Sequence, residues 1–148
     1  MIEGRLSDEG AVATGVVYLP SIGRFLEVDF VIDIGAAVTC LMPNDIEKLT
    51  PSDTERLSAS LIIGRTSLRG VSGVFPHGVA PASLKSEHSD GSSSIFALFI
   101  RVATNPSVTG GPSLLGRDVL FRGQLSAGRD GVSLDIAPGD HDLLRPVT

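Results

Sequence analysis

The stretch Phe30-Val31-Ile32-Asp33-Ile34-Gly35-Ala36-Ala37-Val38-Thr39-Cys40-Leu41 constrains the fold more than any other part of the chain. An apolar, largely β-branched run carries a single carboxylate, breaks at Gly35 and resumes as a second apolar run. Burying a lone ionised Asp there costs several kcal/mol, by order of magnitude about 3–5, unless it is paired or neutralised. Gly35 and the two alanines after it leave little side-chain bulk, so another backbone or a ligand can approach closely. Asp33 is therefore either a turn residue or a working group.

Three readings of this stretch stand open on its residues alone. In the first, Asp33 caps a strand–turn–strand, as Asp commonly does. In the second, Asp33-Ile34-Gly35 followed by Thr39 resembles the first phosphate loop of actin-like and sugar-kinase ATPases. In the third, Asp33 is one half of an aspartic protease dyad.

Composition narrows the choice. The 148 residues make one ordinary domain able to bury a core without staples. Seventeen glycines and nine prolines call for many turns. Without Trp and with few aromatics, the chain lacks a stacking platform for nucleic acid, and a net charge of −5 disfavours a polyphosphate partner. The single cysteine, Cys40, excludes an internal disulfide framework, and its apolar setting marks it as a buried thiol rather than a nucleophile. No signal peptide or membrane span is visible, so a cytoplasmic protein without a membrane partner is expected. Ile2-Glu3-Gly4-Arg5 matches a tetrapeptide used for tag removal, and residues 1–10 are set aside as an extension.

Along the chain, residues 11–19 and 24–32 read as a hairpin joined by Pro20-Ser21-Ile22-Gly23, with Phe25, Val28, Phe30 and Ile32 among its apolar positions. Pro43-Asn44-Asp45 reads as a helix start with Ile46 and Leu49 on one face. Ser52 with Glu55 reads as the cap of another short helical turn. Residues 59–63 are expected as a strand and residues 67–75 as a glycine-tipped mobile hairpin, with 76–84 as its returning arm or the next strand. Residues 85–94 are polar and serine-rich and read as a loop. Residues 95–102 are a strongly apolar strand and 105–112 a loop. Ser113 to Leu120 holds a buried run, a glycine and a short helix. Residues 124–127 and 132–136 close the chain as a hairpin, and 137–148 are a polar tail. Short strands at close spacing with one or two short helices define an all-β barrel-like or sandwich domain over 11–136.

Two motifs now stand in order: Val31-Ile32-Asp33-Ile34-Gly35-Ala36 with Thr39 and Leu41, and far downstream Leu114-Leu115-Gly116-Arg117-Asp118-Val119-Leu120. Together with the hairpin between them, they resemble the retroviral-type (retropepsin-like) aspartic proteases over residues 12 to 136. The resemblance implies an all-β, single-lobe closed barrel working as a homodimer on a peptide or protein substrate, with no cofactor. It implies Asp33 as the catalytic carboxylate, Gly35 as the turn and Ala36 as part of the substrate-facing wall. Arg69, Gly70, Val71, Ser72, Gly73 and Phe75 would belong to the flap, and Leu114 with Leu115 and Gly116 would pack behind the catalytic loop. Thr39 would reach Asp118 and lock the two motifs together.

The chemistry agrees. Two carboxylates sharing one proton are needed, and a chain this short supplies the second by two-fold symmetry. One carboxylate activates water and the other polarises the scissile carbonyl, with activity expected at mildly acid pH. Ile34 departs from the family, which has Thr or Ser there to hydrogen-bond across the dimer axis. Each backbone group left unpaired costs about 1–3 kcal/mol. The alternative is thus a weak or inactive dimeric module that binds peptides in a groove bordered by Val71, Phe75, Leu114 and residues 102–104. The ATPase reading lacks the length for two α/β lobes. His77, His88 and His141 show no metal-ligand spacing and read as solvated loop residues. Arg117 with Asp118 reads as a structural brace, and no Gly-x-Ser-x-Gly elbow occurs.

Overall fold

The computed structural model describes residues 1–70, 73–103, 111–129 and 131–141, with the backbone alone for 62–70 and 73–77. Its elements are β1 (Ile2–Ser7), β2 (Gly10–Leu19), β3 (Arg24–Ile32), β4 (Cys40–Leu41), α1 (Pro43–Ile46), α2 (Pro51–Ser60), β5 (Ile62–Gly70), β6 (Gly73–Glu87), β7 (Ser93–Val102), β8 (Leu114–Leu115), α3 (Arg117–Leu120), β9 (Gln124–Gly128), β10 (Gly131–Asp135) and β11 (Gly139–His141). The fold is mostly β, with short helices.

Neighbouring strands run in the order β5-β6-β7-β4-β8-β3-β2-β1-β10-β9, and β11 joins β7. A further pairing of β6 with β2 returns the path on itself, through Val16↔Lys85, Val17↔Leu84 and Tyr18↔Ser83. Alternation explains which side each strand buries. In β7, Phe96, Leu98, Ile100 and Val102 point into the core, while Ile95 and Phe99 point out. In β3, Leu26, Val28 and Phe30 go in, and Phe25 lies 71% exposed, its ring 4.6 Å from Tyr18. Phe25 is therefore not a core position, because the period of two assigns it to the outer face. Among the described residues no helix is long and apolar enough to cross a membrane.

Several local expectations change. Pro51 suits the first helical position, so Thr50 rather than Ser52 caps α2, accepting the Asp53 N–H at 3.1 Å. That helix runs to Ser60, so the strand expected over 59–63 starts only at Ile62. Residues 85–94 are not one polar loop: β6 extends to Glu87 and β7 begins at Ser93, paired through Lys85↔Ile95, Ser86↔Ser94 and Glu87↔Ser93. The ladder with a distant strand overrides the polar composition. His88 is buried rather than solvated, its Nε2 2.6 Å from Ser94 Oγ, and His141 stacks on Phe96 at 5.0 Å between ring centres. The His77 side chain lies outside the described residues.

Both ends of the chain contribute strands. Ile2 to Gly4 pair with β10 and Arg5 to Ser7 with β2, so the tetrapeptide set aside above belongs to the sheet. Gly139 to His141 pair parallel with β7, where an irregular tail was expected. Residues 104–110, within the loop expected over 105–112, and residues 142–148 lie outside the described residues, as does Asp130 in the last turn.

Candidate active site

β3 and β8 run parallel, with Val31 opposite Leu114 and Ile32 opposite Leu115. Two backbone hydrogen bonds bracket that pairing: Val31 N–H donates to Ser113 O at 2.9 Å and Asp33 N–H to Leu115 O at 3.1 Å. Asp33 thus leaves the sheet at a defined height. Its chain then turns back, Ala36 N–H donating to Asp33 O at 3.1 Å. The Asp33 carboxylate is half-buried and accepts the Gly35 N–H on Oδ1 at 2.8 Å. A Cβ on Gly35 would stand 3.0 Å from that same oxygen, so glycine permits the close approach. None of the ion pairs among the described residues involves Asp33.

The loop is held from below by α3. Arg117 N–H donates to Ala36 O at 2.9 Å, and Arg117 Nη1 to Ile34 O at 3.2 Å. The Ile34 side chain is 59% exposed. Thr39 is wholly buried, and its N–H lies 3.0 Å from both Asp118 oxygens while its Oγ1 donates to Oδ1 at 2.7 Å. That Oγ1 also accepts the Gly116 N–H at 3.2 Å, and Asp118 Oδ1 accepts the Val119 N–H at 3.0 Å. A half-buried carboxylate satisfied in this way, against the fully buried Thr39, welds the two motifs together. Gly116 has no room for any side chain: a Cβ there would meet the Val38 backbone at 2.5–2.9 Å.

Leu114 is half-buried against Cys40, Met42 and Ala103. Burial pushes the Cys40 thiol up to about 12, so it stays protonated and inert at neutral pH. The β5–β6 hairpin pairs Leu68↔Phe75, Arg69↔Val74 and Gly70↔Gly73 in its backbone. Val71 and Ser72 at its tip lie outside the described residues, as do the side chains of Arg69 and Phe75. Thr104 of the expected groove is likewise outside.

Sequence reasoning passed over Ser113 and Asp45 as site residues. Both are buried, Ser113 Oγ donating to Asp45 Oδ2 at 2.5 Å and accepting the Met42 N–H at 3.0 Å. The signal was a lone hydroxyl opening the apolar run Leu114-Leu115. An open groove of about 600 Å³, lined by Glu3, Arg5, Thr14, Glu27, Lys85 and Glu87 among others, includes neither Asp33 nor any residue of 113–118. Among the described residues no cluster of three His, Cys, Asp or Glu side chains is placed to hold a metal ion.

No family model and no curated protein matches the chain. Among solved structures it is similar to the EIAV protease complexed with the inhibitor HBY-793, at 20% sequence identity over 74% of this chain and 84% of that one, with a TM-score of 0.42. A likeness that distant assigns no activity. The functional reading rests on the chain's own residues.

Proposed function

We propose that the chain is an aspartic endopeptidase of retropepsin-like fold, a closed single-lobe barrel that acts as a homodimer. The supporting observation is Asp33 itself: a half-exposed carboxylate at the end of a strand that buries one face, aimed by the Gly35 N–H and left outside every described ion pair. Asp45 and Asp53, by contrast, are tied to cations, and Asp118 to backbone and hydroxyl donors. Asp33 has one such donor, the Gly35 N–H on Oδ1, and no cation among the described residues.

In the dimer two Asp33 carboxylates face each other across the two-fold axis and share one proton. The ionised one takes a proton from a water molecule, whose oxygen attacks the scissile carbonyl carbon. The protonated one gives its proton to the carbonyl oxygen. The resulting tetrahedral diol then collapses: the carboxyl that took the water proton gives it to the nitrogen as the C–N bond breaks, and the other carboxylate takes a proton from the diol, which restores the shared proton. The Arg69–Phe75 segment would be the flap closing over the peptide, and Leu114 part of the groove wall.

Asp33→Asn is expected to abolish cleavage of a diverse peptide library across about pH 3.5 to 7.5, with turnover of the unaltered protein favoured at the acid end. Undiminished turnover by that variant overturns the assignment.

A second reading has one observation in its favour. Ile34 presents an exposed hydrocarbon side chain in place of a hydroxyl, so it cannot donate across a dimer axis. A dimer that binds apolar peptides without cleaving them, and that gains turnover on Ile34→Thr, would establish this peptide-binding form.

A further inference from the structure

Asp33 is placed by β8, because its own N–H is bonded to Leu115 O. β8 is only two residues long, too short to hold a position through its ladder. What holds it stands at its two ends. Beyond Leu115, Gly116 and Asp118 are tied to Thr39. Before Leu114, Ser113 is tied to Met42 and Asp45. Between the two ties, Cys40 pairs with Leu114.

We infer that Ser113 and Asp45 form a second hydroxyl–carboxylate clamp on β8, matching that of Thr39 and Asp118, and that both are positioning residues for Asp33. This rests on the reading of Asp33 as a catalytic carboxylate. Ser113 is fully buried and makes three hydrogen bonds at once. Its carbonyl accepts the Val31 N–H at 2.9 Å, two residues before Asp33. Its Oγ accepts the Met42 N–H at 3.0 Å and donates to Asp45 Oδ2 at 2.5 Å. The other Asp45 oxygen is held by Lys48 Nζ at 2.8 Å. An ionised carboxylate can only accept, so the hydroxyl proton must point at Asp45 and a lone pair is left for Met42. The polarity of the junction is therefore fixed, and Ser113 couples α1 to the strand that carries Asp33.

Removing the hydroxyl strands a buried N–H and a buried carboxylate oxygen. The segment able to shift and relieve them is 113–115, which also holds the acceptors for Val31 and Asp33. Displacements of about 1 Å at a reacting group can cost on the order of 100-fold in rate.

The test compares Ser113→Ala, Asp45→Ala and Asp45→Asn with the unaltered protein, well below all their melting midpoints. Amide hydrogen exchange is read by NMR and peptide turnover by initial rates. Both alanine variants are expected to speed exchange at Val31 and Asp33 by about tenfold or more, with the far end of the β2–β3 hairpin unchanged. They should lower kcat roughly 10- to 100-fold with KM within about threefold. Asp45→Asn keeps an oxygen acceptor for Ser113 and should recover most of both losses. Unchanged protection at Val31 and Asp33, or a speeding shared equally by the whole hairpin, overturns the clamp. So does a loss carried entirely by KM. If the unaltered protein cleaves nothing, the peptidase reading fails, and the exchange data alone still decide whether the clamp exists.

Discussion

At its first residue β3 is anchored by Arg24, whose Nε donates to Asp53 at 2.9 Å from a side chain that is 57% exposed. At its last it runs into Asp33 and a buried network in which Thr39, Ser113 and Asp118 bond to backbone groups of three segments. The near end contains Gly23, a turn glycine at φ +63° with open space around it. The far end contains Gly116, whose missing side chain lets the Val38 backbone pass. One end uses ion pairs from exposed arginines to the buried Asp53, whose cationic partners are free to move and are screened by salt. The other uses short hydrogen bonds centred on the buried Thr39 and Ser113, which are geometrically stricter. Positional accuracy is concentrated where the candidate catalytic carboxylate stands.

The two glycines separate the ends of β3 most sharply. Gly116→Ala is expected to destabilise at or above the top of the roughly 1–3 kcal/mol usual for overpacking, since backbone rather than a side chain must move. The backbone of Gly116, φ −97° and ψ −177°, is open to alanine, so the whole cost is the contact. Gly23→Ala should cost only the left-handed conformation, about 1–2 kcal/mol. Denaturant midpoints with unchanged slopes would check both, and equal losses would erase the distinction between the two ends.

Thr39→Val comes next. It keeps shape but takes away the hydroxyl that donates to Asp118 and accepts from Gly116, an expected loss of about 1–3 kcal/mol by urea titration. The Thr39 N–H bonds to Asp118 survive, so the protein should still fold.

The smallest effect belongs to the Arg24 end of β3. The hydrogen bond from the Arg24 guanidinium holds the Asp53 carboxyl below its ordinary range, against an opposing push from desolvation. A carboxyl depressed in the folded state stabilises above its unfolded value of about 3.9, and that contribution disappears as pH falls through the folded value. Asp53→Asn is therefore expected to lower the melting midpoint slightly at neutral pH and not at all in strong acid. A difference that persists in acid would show that shape, not charge, holds this corner.

Much of this layout could be read along the chain, and the exceptions have a common cause. The β2–β3 hairpin, the apolar strand over 95–102, the start of α1 and the two motifs are visible because each is written in neighbouring residues. Phe25 is as apolar as Phe30, and only the register sends it to the outer face. Residues 85–94 looked like a loop because their pairing partner is the opposing arm, and composition carries no record of a ladder. Ser113 and Asp45 lie 68 positions apart, and neither type signals a partner at that distance.

The amino-acid sequence by itself therefore determined the period-two strands, the turns between them and the acid that ends β3, since these follow from local sterics and alternation. Only the tertiary structure decided that β1 and β11 join the sheet, that His88 is buried, and that two hydroxyl–carboxylate pairs grip the ends of β8. Those outcomes depend on which distant backbone groups lose water together. A buried donor must find its acceptor wherever the folded chain brings one within about 3 Å.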